Sequence, residues 1–374
     1  MSQTPINNPP RTFRAPGRVN LIGEHTDYND GFVMPAAIDL SVFARVWPRE
    51  DRKLVIRSEN FSDEIEFDLD QPNPAPQQHW SDYSVGVAVM LERAGHRLRG
   101  ANLQLRGEVP VGSGLSSSAA VEVATACALT SISELTIDRR ELALLCQKAE
   151  NEFVGARVGI MDQFVALFGQ AQRALLLDCR SLEFKLLPLP DTVNLVICNT
   201  MVKHALASSA YNERRAQCEA GVKHLAQFLP NVKALRDVTI EQLERFGRDL
   251  PEVVYRRCRH VITENARVQA AGEALVQDDL HRFGELMAES HRSLRDDYEV
   301  SSRELDLMVE LADKVEGVYG ARMTGGGFGG STVNIVDAAH VERFKRNVAQ
   351  EYEQVMAVNP EIYVCEPSDG AEEI

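Results

Sequence analysis

The sequence predicts an α+β fold: two domains of mixed sheets and helices, and not a doubly wound parallel sheet. Three observations predict it. Strand and helix patterns come in clusters, without strict βαβ alternation. The first half is rich in strands, while long helical periods fill most of the second. At 374 residues, the chain is too long for one small core. A boundary is expected near residue 190, giving domains 1–190 and 191–374.

The elements follow in order. Val19, Leu21 and Ile22 read as the buried end of an early strand. Segments 41–47 and 53–58 read as strands, and 64–70 alternates Ile65, Phe67 and Leu69 with acids, as a half-exposed strand does. A proline-rich loop at 71–78 precedes a helix over about 81–94, and a short strand follows around Leu103 and Leu105. Glycines and serines at 112–118 then open a helix running through Leu129, with the serines as candidate caps. A second helix begins near Asp138 and carries Leu142, Leu145, Ala149 and Phe153 on one stripe, with Glu150 beside it and partly buried. Segments 173–179, 183–189 and 193–199 read as strands. Helical patterns cover 208–228, 251–275, 279–296 and 302–316. The chain then reads as strand, glycine loop, strand, followed by a helix at about 338–356 and the strand "EIYVCEP".

Composition narrows the function. Lys plus Arg number 40 against 55 for Asp plus Glu, a formal charge of −15. So acidic a chain is a poor general binder of nucleic acid or anionic membranes, so any anionic ligand needs a local site. The opening "MSQTPINNPPRT" lacks the apolar core of a signal peptide, and the apolar run from Ala119 is broken by Glu122. Seven scattered cysteines with no Cys-x-x-Cys argue against zinc or a disulfide framework, and for reduced thiols in the cytoplasm. No apolar stripe is left over to demand an obligate protein partner, and a monomer is expected.

Several segments can carry chemistry. In "GSGLSSSAA" (112–120) glycines, hydroxyls and a helix start come together. Unpaired N–H groups at such a start bind phosphate, although a plain glycine-serine cap reads the same way. No Gly-Lys-Ser/Thr follows, so this is not a Walker A loop. In "TGGGFGG" (324–330) five glycines fall within six residues. That pattern suits either a tight hairpin or a backbone that closely approaches a ligand. Asp162 in "GIMDQF" sits among Met161, Phe164 and Val165, as a helix cap or as a carboxylate with a chemical task. "GRVNLIGEHTDYNDG" (17–31) packs Arg18, Glu24, His25 and Asp27 together. One histidine without a second ligand set makes a poor metal site, and Asn29, Asp30 and Gly31 are partly turn chemistry.

Together, "GRVNLIGEHTDYNDGFVMPAAI", "VPVGSGLSSSAA", "AENEFVG", "GIMDQF", "YNERR" and "ARMTGGGFGGS" resemble the GHMP family of small-molecule kinases, over about residues 14 to 366. Among its members the first motif is similar to that of enzymes phosphorylating galactose. The resemblance implies a two-domain GHMP-kinase-like fold with the active site at the domain interface. It also implies ATP- and Mg²⁺-dependent transfer to the anomeric hydroxyl of galactose. It makes Asp162 the proton acceptor and Arg18 its neighbour at the γ-phosphate. Glu24, His25, Asp27 and Tyr211 become sugar contacts. Gly112, Ser113, Gly114, Leu115, Ser116, Ser117 and Ser118 become the ATP phosphate loop, and Ser118 and Glu150 the magnesium ligands. Ser331 stands where relatives often carry cysteine, and no chemical consequence is expected. The alternatives are a related sugar-1-kinase acting on N-acetylgalactosamine or arabinose, and a non-catalytic galactose sensor. The intact serine motif, Asp162 and Arg18 argue against the sensor.

Overall fold

The computed structural model of the chain describes residues 9–71, 74–203 and 207–374. Residues 1–8, read above as no signal peptide, lie outside them, as do two residues of the proline-rich loop. Three sheets form the frame. The largest has six strands, in the order Glu372–Glu373, Arg11–Asn20, Pro35–Pro48, Ala101–Gly107, Lys53–Ser58 and Asp63–Asp68. Its one parallel contact joins Lys53–Ser58 to Ala101–Gly107. A four-stranded antiparallel sheet runs Val318–Thr324, Gly329–Asp337, Val193–Lys203, Glu361–Cys365. Three short strands, Phe32–Val33, Arg173–Asp178 and Phe184–Pro188, make the third.

Mixed pairing without βαβ repetition is the α+β arrangement that clustered elements predict. Helix Ser117–Ile132 crosses the strands Arg11–Asn20 and Pro35–Pro48. Its buried face is rich in alanine, including Ala119, Ala120, Ala124 and Ala128, and this lets it lie close to the sheet. Helix Leu280–Ser293 lies on strand Val318–Thr324, with Glu252–Val276 packed against it. The largest apolar core takes residues from both sides of position 190, among them Leu21, Phe164, Val268 and Val333. No helix among the described residues is long and apolar enough to cross a membrane.

Four differences from the sequence expectations have physical causes. Ser116 occupies the cap position of helix Ser117–Ile132, but its side chain makes no cap bond. Its hydroxyl donates to Asp162 instead. Asp162 is likewise no cap, since Ile160 precedes helix Met161–Phe168 and Asp162 lies in its first turn. The stripe through Ala149 and Phe153 widens into a π-helical turn, Ala149–Val154, and Glu150 on it is fully buried. Last, the helix Ile240–Phe246 was unforeseen, although Thr239 and Gln242 form a reciprocal capping box there.

Candidate active site

Arg18 stands near the end of strand Arg11–Asn20, where the backbone N–H donates to the Leu115 carbonyl at 3.1 Å. Its guanidinium grips Asp162 through two parallel bonds of 2.7 Å, and Nη1 donates to the Gly114 carbonyl at 2.6 Å. A planar fork on a carboxylate fixes both partners in position and angle. Asp162 accepts a third bond from the Ser116 hydroxyl and keeps 24% of its side chain exposed, facing a cavity of about 570 Å³. Arg18, Glu24, His25, Asp27, Asp162 and Tyr211 all line that cavity, together with Gly325, Gly326 and Gly327. Six of the residues singled out from sequence thus meet at one place.

The chain turns sharply after Ile22. Gly23 and His25 both adopt positive φ, 105° and 64°. For histidine that is a strained backbone, held only where its surroundings over-determine it. Here they do. The Gly23 N–H donates to Glu264 at 2.9 Å, the Thr26 hydroxyl bonds the Gly23 carbonyl at 2.7 Å, and the Asn29 amide bonds the His25 carbonyl at 2.9 Å. Glu264 is buried, yet Arg267 and its other partners outweigh the desolvation and hold its carboxyl at about 2.

Glu24 is also buried. It accepts from Asn20 Nδ2 (2.7 Å), Arg322 Nη1 (2.5 Å), the Thr324 hydroxyl (3.3 Å) and the Gly325 N–H (2.8 Å). A carboxylate offers about four lone-pair sites. Glu24 therefore acts first as a framework for this end of the cavity, and a sugar hydroxyl would share oxygens already in use. Burial raises its pKa despite the pull of Arg322. The His25 ring is held well below its ordinary range by burial, then by His260 and Arg214, so it is neutral. Its Nδ1 meets the Tyr28 hydroxyl at 2.8 Å, while Nε2 has no hydrogen-bond partner. Asp27 is pushed up to about 7, by burial first and then by the charge of Asp162. It fits only because residue 159 is glycine, since a Cβ there would sit 1.9 Å from Asp27 Oδ2. The Tyr211 ring packs 5.4 Å from His25 and 5.5 Å from Tyr28, and lies over Gly326.

At the other end, Gly112 and Gly114 take positive φ and lead into helix Ser117–Ile132, whose first N–H groups lack intrahelical partners. Not every loop residue faces outward. Leu115 is buried, and the buried Ser113 hydroxyl donates to the Pro110 carbonyl at 2.8 Å. Ser118 bonds Glu150, whose carboxyl is pushed up to about 7 by burial and by Asp162. Sequence reasoning missed two residues behind this pair. Gln163 Nε2 donates both to Glu150 (2.7 Å) and to Glu122 (2.9 Å). Glu122 is fully buried, and its carboxyl is raised well above the usual range by burial and by Glu150. The signal existed: a carboxylate interrupting an apolar helix one turn after Ser118.

The glycine loop at 325–330 does both things its composition allowed. It turns a hairpin between Val318–Thr324 and Gly329–Asp337, and it lies backbone to backbone on the phosphate loop. A Cβ on Gly325 would stand 3.2 Å from the Gly114 carbonyl oxygen, and one on Gly330 would stand 3.4 Å from that of Ser113. Ser331 has a role after all: its buried hydroxyl donates to the Ser113 carbonyl at 2.7 Å and ties the two loops together.

A helix start beside a polar cavity, with an arginine–carboxylate pair between them, defines the GHMP class of kinases, and the comparisons agree. The family model for the GHMP kinases N terminal domain matches residues 82–170, and that for GHMP kinases C terminal matches 272–354. The galactokinase galactose-binding signature matches residues 4–48. The chain is 48% identical over 357 residues to a galactokinase of Roseiflexus sp. (strain RS-1), covering 96% of this chain and 91% of that protein. It is 50% identical over 336 residues to a galactokinase of Chloroflexus aggregans, covering 90% of this chain and 86% of that one. The crystal structure of Lactococcus lactis galactokinase complexed with galactose superposes with a TM-score of 0.94, at 40% identity, over 98% of this chain and 95% of that one. Methanococcus jannaschii mevalonate kinase, at 16% identity and a TM-score of 0.68 over 97% of this chain and all of that one, shares the fold. The chain belongs to the galactokinase family.

Proposed function

We propose that the protein transfers the γ-phosphoryl group of ATP to the anomeric hydroxyl of α-D-galactose, giving α-D-galactose 1-phosphate and ADP. One observation carries this reading. The Arg18–Asp162 pair lines one cavity with Glu24, His25 and Asp27, and the same pair is bonded from behind by Gly114 and Ser116 of the loop at 112–118. Relatives of high identity and coverage, named galactokinases, support the choice of sugar.

Phosphoryl transfer needs positioning and charge stabilisation above all. Glu24, His25, Asp27 and Tyr211 orient the sugar so that its anomeric hydroxyl meets Asp162. That hydroxyl is more acidic than an ordinary alcohol, so a carboxylate suffices as proton acceptor. Arg18 holds Asp162 in place and offsets charge on the transferred group. The loop of residues 112–118 presents the helix start to the phosphates. Magnesium fits the residues present: the Ser118 hydroxyl and the Glu150 carboxylate adjoin one another, and the hydrogen-bond donors to Glu150 and to Glu122 behind it are the neutral Ser118 and Gln163. No group of three or more His, Cys, Asp or Glu side chains assembles a full cage among the described residues. That suits an ion that keeps its waters and takes phosphate oxygens as ligands. Bound there, it would neutralise the phosphates. We also place the site between domains 1–190 and 191–374, and the protein in the cytoplasm as a monomer. The acidic balance and scattered thiols support that location.

A coupled ADP-release assay with galactose, glucose and N-acetylgalactosamine tests the reading. Turnover with galactose is expected, and its absence sinks the proposal. Asp162→Asn should lower kcat by about a thousandfold, in the range for losing a positioned base, while galactose still binds.

A further inference from the structure

Behind His25 lies a line of polar groups drawn from three distant parts of the chain. His25 Nδ1 stands 2.8 Å from the Tyr28 hydroxyl, which stands 2.8 Å from the Tyr298 hydroxyl, which stands 3.1 Å from Cys218 Sγ. Tyr298 and Cys218 are buried within the core, and the Tyr298 ring lies 4.6 Å from that of His25. The line ends at His25, a residue that lines the cavity and whose buried Nε2 has no hydrogen-bond partner.

Each of the four groups has one proton to give, because His25 is neutral. Four proton arrangements satisfy all three contacts, but two of them leave a buried tyrosine O–H without an acceptor in the line, which is costly, and the other two run in a single direction. In one, the histidine donates from Nδ1 and the protons point inward, toward sulfur. In the other, the thiol donates to Tyr298, Tyr298 to Tyr28, and Tyr28 to Nδ1, which leaves the ring proton on Nε2. The inward direction spends an imidazole N–H on a phenol oxygen and a phenol O–H on sulfur, a weak acceptor. The outward direction pairs a phenol O–H with an imidazole nitrogen, the strongest donor–acceptor match in the line. A second neutral ring nearby follows the same rule: His260 has Nδ1 against the Ser293 hydroxyl (2.9 Å) and Nε2 against the Glu24 carbonyl (3.2 Å). A carbonyl only accepts, so His260 carries its proton on Nε2, and the one Ser293 proton is shared between Nδ1 and the Asp297 carboxylate at 3.2 Å.

We propose that Tyr28, backed by Tyr298 and Cys218, is a positioning residue that fixes His25 in the Nε2–H tautomer and makes it a hydrogen-bond donor to a sugar oxygen. This rests on His25 being a sugar contact. It gives that end of the cavity a donor flanked by two acceptors, Glu24 and Asp27. The hydroxyl facing His25 is then read as an acceptor, and those facing the carboxylates as donors. A site with that alternation matches one spatial order of hydroxyl groups and mismatches its epimers.

The test is long-range ¹H–¹⁵N NMR on the full-length protein labelled in its nine histidines, with His25 assigned by His25→Gln. The expected ring is unprotonated at Nδ1 and protonated at Nε2 before any ligand is added, and galactose shifts the Nε2–H resonance. Tyr28→Phe should move the proton toward Nδ1 and raise the galactose KM about tenfold with kcat held, the effect of one neutral hydrogen bond. Tyr298→Phe leaves Tyr28 free to donate and should keep the tautomer. A wild-type ring protonated at Nδ1, or a Tyr28→Phe ring unchanged at Nε2, overturns the relay. If Tyr28→Phe does not fold, the wild-type spectrum decides alone. Galactose that leaves the His25 signals in place overturns the sugar contact on which the proposal rests, separately from the tautomer.

Discussion

At the end of the cavity lined by Glu24 and His25, the carboxylate is held before any ligand arrives, although His25 Nε2, Asn20 Oδ1 and two Arg322 nitrogens have no hydrogen-bond partner. Glu24 meets four donors, and His25 is buttressed by Tyr28 and by the stacked Tyr298 ring. Where Asp162 lines the cavity, with Glu150 close behind it, the contrast is one of charge. Burial first, and then a neighbouring carboxylate, raises the proton affinity of Glu122 and Glu150, while Arg18 grips Asp162. The Glu24 carboxylate is rigid by satisfaction, and Glu122 and Glu150 are loaded by burial and repulsion. A shape to be recognised calls for fixed groups, whereas a cationic ligand arriving with a nucleotide gains most where negative charge has been left uncompensated.

The contrast can be broken most severely at Arg322. This arginine is fully buried and holds Glu24, so Arg322→Leu leaves an unpaired buried carboxylate. Losing one partner of such a pair costs about 3–5 kcal/mol, read by urea unfolding. Adding Glu24→Gln should recover much of it. No loss in the single variant would mean that the sugar end does not depend on this pair.

A smaller effect sharpens the contrast through pH. Ionised, Asp27 is a stronger acceptor and an acceptor only, and its folded value of about 7 lies above the ordinary 3.8. The groups facing it are Asp162, which raises it, and Arg18, Arg215 and the Tyr28 N–H, which lower it. Galactose affinity should therefore climb about tenfold per pH unit below 7 and level off above, and Asp27→Asn should flatten the profile. Stability runs the other way. A carboxyl raised in the folded state favours folding below its unfolded value, and that contribution is lost as pH rises through about 7. A galactose KM independent of pH between 5 and 8 would count against Asp27 as an acceptor.

The smallest effect lies at the tie between loops. Ser331→Ala removes the donor to the Ser113 carbonyl and leaves that oxygen unpaired. It should cost about 1 kcal/mol, appearing as a roughly fivefold rise in the ATP KM with the galactose KM unchanged. Equal changes in both constants would show that the two ends are not separable.

The sequence made the site's principal residues legible because their chemistry is local: a fork-shaped cation, a serine-rich helix start, carboxylates in tight turns. The rest depends on partners far along the chain. Tyr298 and Cys218 lie 80 positions apart, and nothing near either one announces the other. Arg322 reads as one charge in a strand until Glu24 is placed against it. The π-helical turns at Ala149–Val154 and Leu294–Tyr298 carry Glu150 and Tyr298 into position, and a widened turn leaves no periodic trace. The serine caps were misread because Ser116 had a stronger acceptor, Asp162, supplied by a helix not yet built around it.

The bonds from Thr324 and Gly325 to Glu24 span 300 and 301 positions. During synthesis the ribosome delivers residues 20 to 25 early and residues 322 to 325 near the end. For most of that interval the strained turn at His25 has no Glu24 clamp, and the phosphate loop has no second loop to rest on. Five of the six strands of the largest sheet, all made by residue 107, can pair while the cavity is still open to water. A nascent chain arrested before residue 322 would thus be folded in part yet unable to discriminate between sugars, and competence would come with the last strands to pair.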